Sequence, residues 1–320
     1  MIDWSAITPF NQQVLLLVGV LILKVVIQRL APHHPWVGFR FYCLKLAEKV
    51  NKPENSDNQK HIAGFVAVVI TFAPLWVIAW LFESLVAVPE LWQGLLLYLA
   101  LGSGNIFKVS HDIAVALTAN DNYKAKQLLA PLTLRDTSQL STLGLSKATI
   151  EMQIITHLQQ YLVVCVLFLA FNPLIAFGYR LLLEMHYSWN IKRQQYVCFG
   201  AFADRSVKVL QWLPNRAFIL LAIILTVGQN FLLIWRLTMA YFFKSSNDCI
   251  LAFFAPTHNI RLGGVAIYDN DKLRRNSFND NGRQPEPKDI IHTQRFVWRI
   301  YALIIIILIG CSVISQLLIT

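Results

Sequence analysis

The stretch Ile62–Phe82, IAGFVAVVITFAPLWVIAWLF, carries no charged side chain. Only small residues and Pro74 interrupt its apolar run. A helix needs ~20 apolar residues to cross the hydrocarbon core, so this segment predicts a membrane span. Five other stretches come near that length. Residues 14–30 are apolar over Val14–Ile27 except for Lys24, which is expected to snorkel from a helix end. Residues 91–107 form a shorter run with glycines, and 158–183 a longer one with Asn172-Pro173 in its middle. Residues 217–235 include Gln229-Asn230, and 300–319 are strongly apolar.

Composition agrees. Of 320 residues, 56% are hydrophobic and 14% charged, against ~25% charged in an ordinary soluble domain. The mean hydropathy is +0.49. A soluble enzyme, a disordered chain and a disulfide scaffold are thereby excluded, and 1–320 reads as a single membrane-embedded unit. Lys and Arg outnumber Asp and Glu by 28 to 18. No compact basic motif with interleaved aromatics appears, so the charge speaks for basic loops beside an anionic leaflet and against nucleic acid. Cys43, Cys165, Cys198, Cys249 and Cys311 are scattered and form no C-x-x-C pair, which reads as packing rather than disulfides or zinc. The N-terminus has no basic region ahead of its first apolar run, unlike a cleaved signal peptide.

Charge placement sets the expected topology. Lys and Arg concentrate in Arg29–Lys60, Lys108–Lys147, Arg180–Arg216 and Arg236–Arg299. The positive-inside rule puts all four segments in the cytoplasm of an inner-membrane protein. That holds if 14–30, 62–82, 91–107 and 300–319 are full spans, both termini are periplasmic, and 158–183 and 217–235 are only half inserted. Irregular backbone at that depth must be buried in protein or line a cavity. Six ordinary spans are the alternative. Between the apolar runs, Asn120–Leu132 and Ser138–Leu158 have helical periodicity, with a loose helix start at Ser146. Val265–Ile291 reads as a polar loop, with turn signals at Asp269-Asn270, Asn281-Gly282 and Pro285-Glu286-Pro287.

Four constellations carry chemistry, and each has a plainer reading. His33-His34-Pro35-Trp36-Val37-Gly38 offers metal or corrinoid ligands, or an interfacial turn. Arg135-Asp136-Thr137 offers a phosphate and metal site, or a helix cap. The segment from Phe199-Gly200 through Asp204, Arg205, Lys208 and Arg216 offers an anion site, or a basic helix against lipid headgroups. Arg261-Leu262-Gly263-Gly264 allows close backbone approach, with Lys272, Arg274, Arg275 and Arg283 downstream for phosphate or carboxylate. Glu184 and His186 add ionisable groups at the end of an apolar run.

In this order the motifs resemble the CbiB/CobD family of cobalamin biosynthesis, the adenosylcobinamide-phosphate synthases, from about Leu21 to Arg299. The family's H-P-V-x-x-[IM]-G is shortened here to His34-Pro35-Trp36-Val37-Gly38. Its G-R-D-T-x-x-L reads Leu134 to Leu140, and its A-x-I-E reads Ala148-Thr149-Ile150-Glu151. A longer stretch survives as Phe199-Gly200, Arg205, Pro214 and Arg216. R-L-G-G-x-x-x-Y-D is matched from Arg261 to Asp269, and P-E-P-x-D-I from Pro285 to Ile290.

The resemblance implies an all-α polytopic fold. It also implies a ligase that attaches aminopropanol, or its phosphate, to a carboxylate of adenosylcobyric acid with ATP and Mg. Expected partners are the bilayer, the corrinoid and other membrane proteins of cobamide assembly. By the same resemblance Asp136, Glu151 and Asp269 form the catalytic set near a metal. His34, Arg135, Thr137, Arg205, Arg216 and Arg261 meet substrate or phosphate, with Gly263 and Gly264 giving room. Several acidic positions of the pattern are replaced, by Ile155, Gln159, Val207 and Lys208, and an asparagine by Thr156. The chain in this respect resembles the AmpE-type inner-membrane signalling proteins, which gives a non-catalytic alternative.

Overall fold

The computed structural model describes residues 8–30, 35–102, 105–228, 231–268 and 271–317. In chain order its helices are α1 (Pro9–Leu30), α2 (Val37–Val50), α3 (Asp57–Leu85), α4 (Pro89–Ala100) and α5 (Ile106–Thr118). There follow α6 (Asn122–Leu129), α7 (Thr142–His157), α8 (Val163–Ala170), α9 (Pro173–Ser188) and α10 (Ala201–Leu210). The last are α11 (Trp212–Ile224), α12 (Phe231–Met239), α13 (Ser246–Thr257) and α14 (Pro287–Leu317). Short strands β1 (Leu262–Gly263), β2 (Ala266–Tyr268), β3 (Asp271–Leu273) and β4 (Ser277–Phe278) interrupt an otherwise all-α chain. Among the described residues, four helical runs are long and apolar enough to cross a bilayer: Pro9–Gln28, Asp57–Leu85, Thr142–Ala170 and Pro287–Leu317. Where the sequence drew one unit, the chain groups into two. The first is Met1–Ser103, Gln160–Pro214 and Leu308–Thr320, and the second Gly104–Gln159 and Asn215–Ile307.

In the first unit, α3 starts on a capping box. The Gln59 amide donates to Ser56 Oγ at 3.4 Å, and the Ser56 amide donates back to Gln59 Oε1 at 2.8 Å. Pro74 is accommodated inside the helix. One face of α3 is small and buried, with Gly64, Ala67, Val68 and Thr71, while Ile62, Phe65, Val66, Val69 and Ile70 stay exposed. Small residues let backbones approach, which is how helices associate in lipid. At Gly64 the approach is closest, because a Cβ there would stand 2.0 Å from the Phe199 carbonyl oxygen.

The expected span 91–107 is not one helix. Helix α4 has 12 residues, ~18 Å at 1.5 Å per residue, and the chain leaves it at Leu101. Gly102 docks where its amide donates to the Gln160 carbonyl at 3.1 Å and its own carbonyl accepts from Tyr161 Oη at 2.9 Å. A helix end without solvent needs partners for its last carbonyls. Lys24 supplies them: it does not snorkel, but lies buried with Nζ donating to the Tyr98 and Leu101 carbonyls at 2.8 and 3.2 Å. Trp36 Nε1 donates to the Leu99 carbonyl at 3.0 Å.

The 158–183 run is broken at Asn172-Pro173. Its first part belongs to a helical run that begins at Thr142 and passes through one π-turn at Leu158–Leu162. Asn172 then caps α9, accepting the Ile175 amide at 2.9 Å, with Pro173 as first helical residue. Helix α9 packs on α8, α4, α10, α3 and α2, at the heart of this unit. The 217–235 run is likewise split, between α11 and α12, and Gln229-Asn230 lies outside the described residues.

In the second unit α7 packs against α5, α6 and α13. Ile113 and Leu117 of α5, Ile150 and Ile154 of α7, Phe253 and Phe254 of α13, and Ile290 of α14 are all buried. Helix α7 starts at Thr142 on a Ser141 cap rather than at Ser146, whose hydroxyl donates to the Thr142 carbonyl inside the helix. The expected polar loop 265–291 contains β2, β3 and β4: β2 pairs with β3, and β4 pairs with β1, just ahead of the loop, both antiparallel. The turn signal at Asp269-Asn270 lies outside the described residues.

Filling the α3 groove tests this packing. Gly64→Val should lower unfolding stability in detergent by about 1–3 kcal/mol through overpacking. Gly38→Ala, with open space at its Cβ position, should leave the thermal midpoint near wild type. Equal midpoints for the two variants would remove the close approach from the account.

Candidate functional site

The strongest polar cluster in the second unit is built around Glu151, on the middle of α7. Its side chain is 2% exposed. Oε2 accepts from Arg135 Nη2 and, at 3.1 Å, from Arg275 Nη2. Oε1 accepts the Gly263 amide at 2.8 Å. Arg135 and the strand segment that carries Gly263 and Arg275 thus meet on one carboxylate of α7. The Asp136 amide adds a bond to the Ile267 carbonyl at 3.1 Å, tying the 133–137 segment to β2.

The two glycines are required where they stand. Gly263 has φ +75° and Gly264 φ +85°, the left-handed region that side chains rarely adopt. A Cβ on Gly263 would lie 2.1 Å from the Asn276 carbonyl oxygen. A Cβ on Gly264 would stand 3.7 Å from Lys147 Nζ, so the lysine ammonium lies over the glycine backbone. Arg275 Nε donates to the Gly264 carbonyl at 3.3 Å.

The electrostatics are lopsided. Arg135, Lys147 and Arg275 face a single carboxylate, with the Arg261 charge also acting on Lys147. Burial alone would lower the Arg135 pKa, but Glu151 and Tyr268 beside it hold it above the ordinary arginine value. The arginines are engaged with Glu151. Lys147 makes no direct hydrogen bond or ion pair among the described residues and feels the Glu151 charge only at a distance.

The other expected site residues divide. Asp136 Oδ1 accepts the Ser138 amide at 2.8 Å, and Ser138 holds its carboxyl below the usual aspartate pKa. Thr137 is buried beside it. Arg261 is half-exposed, donating to Ser277 Oγ at 3.2 Å and pairing with Asp280 at 3.0 Å. Arg216 is buried and its donors are taken: the Phe242 and Lys244 carbonyls at 2.9 and 2.7 Å, and Ser246 Oγ at 2.6 Å. It clamps the turn into α13 and has no free edge for phosphate. Arg205 is an exposed residue of α10 in the first unit. His34 and Asp269 lie outside the described residues.

Among the described residues no three His, Cys, Asp or Glu side chains gather as a metal site. Glu151, with both oxygens held by cations and an amide, does not fit a magnesium ligand. Lys147 is the site residue that sequence reading missed. Its signal was the four-residue spacing to Glu151, which sets both on one helix face. Asp289 of the Pro-Glu-Pro motif also went unassigned. It is 1% exposed, accepts Arg283 through both oxygens and the Glu286 amide at 2.8 Å, and so fixes the start of α14.

The family described as CobD/Cbib protein matches residues 16–297, and the chain belongs to it. It is 27% identical over 282 residues to the cobalamin biosynthesis protein CobD of Stutzerimonas stutzeri, covering 88% of this chain and 92% of that one. The CobD of Chromobacterium violaceum is 26% identical over 287 residues, covering 87% and 91%. The cobalamin biosynthesis protein CbiB of Salmonella arizonae is 25% identical over 257 residues, covering 76% and 80%. No solved structure matches the chain.

The Glu151 clasp predicts its own cost of removal. Glu151→Gln leaves two guanidiniums facing a neutral amide and should cost about 3–5 kcal/mol, the range for breaking a buried pair. Chemical unfolding in detergent measures this, with proteolysis of the 264–276 segment as a local readout. A change within about 0.5 kcal/mol, the size of an ordinary surface substitution, would mean that the clasp does not hold the segment.

Proposed function

We propose that this CobD/CbiB-family chain acts in cobalamin biosynthesis, attaching aminopropanol or its phosphate to a carboxylate of adenosylcobyric acid. The reading rests on one observation: three cations, one of them unpaired, surround a single carboxylate beside two glycines in left-handed conformation. Amide formation from a free carboxylate must expel an oxygen, and ATP, as the family resemblance has it, supplies that activation. The groups to be handled then carry phosphate and carboxylate charge throughout. Preorganised cations in a water-poor site stabilise such charge as it develops. In this reading Lys147 holds the substrate anion, Arg135 and Arg275 set the surrounding potential, and the bare backbone at Gly264 leaves space for the anion. The site faces the cytoplasm of the inner membrane, with the corrinoid and other membrane proteins of cobamide assembly as partners.

A second reading has its own support. Glu151 is fully engaged, and Asp136 is tied to Ser138. A membrane protein of the AmpE kind, without catalysis, would need no free acid.

Complementation separates the two. A strain lacking the synthase, and needing cobinamide assembly to grow, should grow with the wild-type chain. Lys147→Ala should cut the rate of aminopropanol incorporation ~10²–10³-fold, the usual cost of one charge-stabilising group, at unchanged membrane abundance and thermal midpoint. A wild-type chain present in the membrane but unable to restore growth would overturn the enzymatic reading.

A further inference from the structure

A cavity of about 630 Å³ opens in the second unit, away from Glu151. That volume is in the range of ~300–1,000 Å³ usual for small-molecule sites. Its basic wall comes from α14, where His292, Arg295 and Arg299 line it at three- and four-residue spacing and therefore share one helix face. Phe296 of the same helix adds its ring, and Thr257, His258 and Asn259 line the cavity from the end of α13.

Two features point to a ligand rather than to architecture. Arg295 and Arg299 have no acidic or hydrogen-bonding partner among the described residues, unlike Arg283 and Arg216, whose donors are taken up by the protein. His258 Nε2 is enclosed and has no hydrogen-bond partner, while its ring is fixed against Phe254 and Phe296 with centroids at 6.1 and 5.3 Å. An enclosed polar atom without a partner is unfavourable unless something supplies one.

The cavity's position along α14 supplies the class of ligand. Beyond Arg299 the chain has no charged residue to its end. Trp298, 59% exposed, sits at the transition from basic to apolar sequence. Exposed tryptophan and arginine at the end of an apolar helix mark the headgroup level of a bilayer. Two guanidiniums one turn apart suit a phosphate, which accepts several charge-assisted hydrogen bonds at once.

We propose that this cavity binds a phosphate group at the membrane–water boundary, held by Arg295 and Arg299. The phosphate can belong to an anionic lipid headgroup or to a soluble phosphate ester, and the test distinguishes these sources. The thermal midpoint of the full chain in neutral detergent is followed on adding dioleoyl-phosphatidylglycerol, dioleoyl-phosphatidylcholine or inorganic phosphate. Phosphatidylglycerol is expected to raise the midpoint by several degrees, as binding to the native state alone must. Phosphatidylcholine is expected to have little effect. A rise with inorganic phosphate as well would identify a soluble anion as sufficient; a rise with phosphatidylglycerol only would identify the lipid.

R295Q/R299Q should abolish the rise, while K49Q/K52Q, removing equal charge from another surface, should keep it. Both arginines are exposed and unpaired, so the double variant should melt like wild type without ligand. If it does not, Arg299→Gln alone, with native mass spectrometry counting retained phosphatidylglycerol, should show a loss of bound lipid. No midpoint shift with either anion, or equal shifts in wild type and R295Q/R299Q, would overturn the proposal.

Discussion

A carboxylate taken out of water costs several kcal/mol unless its oxygens are met by donors that cannot leave. Glu151 meets that condition with two guanidiniums and one backbone amide, and the rest of the second unit is arranged to deliver them. Strands of two and three residues have no independent stability. Gly263 of β1 and Arg275, ahead of β4, both end on the same side chain of α7 and tie the β1–β4 ladder to it. The left-handed glycines follow from this, since the Gly263 amide must turn toward a helix that the chain otherwise passes by. The cation excess follows as well: two arginines are needed to bury one acid, and any further cation nearby is left over.

The first unit solves a similar problem with different residues. Glu184 of α9 is fully buried between Arg40 and Arg180, with Arg180 Nη2 at 2.6 Å from Oε1. The Arg180 guanidinium lies 5.7 Å from the Trp36 ring and that of Arg40 5.5 Å from the Tyr187 ring, so aromatic faces supplement the carboxylate. Lys24 is handled without an acid, by the carbonyls at the end of α4. A helix C-terminus carries partial negative charge, so ammonium and helix end satisfy each other. In both units a short or interrupted element is held by long charged side chains as well as by apolar contact.

What was legible in the sequence follows from this division. The apolar run 62–82 could be read at once because burial in lipid demands continuity, and α3 contains it whole. Asn172-Pro173 could be read because capping chemistry is local. The end of α4 could not, since the chain stops there to dock Gly102 on residues 160 and 161, a contact set by packing and not by neighbours in sequence. The ladders inside 262–278 were hidden because Gly, Asn and Asp also spell loops. At the site, Arg135 and Gly263 were legible as constellations and Glu151 through the resemblance, and the three converge. Their partner Lys147 lay one turn from Glu151, yet such spacing recurs on every helix and marks nothing until the two glycines are seen beside it.

The same structure offers a rule for sorting the basic residues, which net charge lumps together. Arg216 and Arg283 read as candidate anion binders in sequence, but each has its guanidinium filled by carbonyls, a hydroxyl or an aspartate. They fix turns. Lys147, Arg295 and Arg299 occupy equally structured positions on helices, beside a glycine backbone or a cavity, with no direct partner among the described residues. A folded chain gains little from ordering a long cationic side chain that bonds nothing, because its rotamer entropy opposes the ordering. Among the described residues, Lys147, Arg295 and Arg299 are therefore the cations of the second unit whose ordering the folded chain explains least, and the two proposals rest on them.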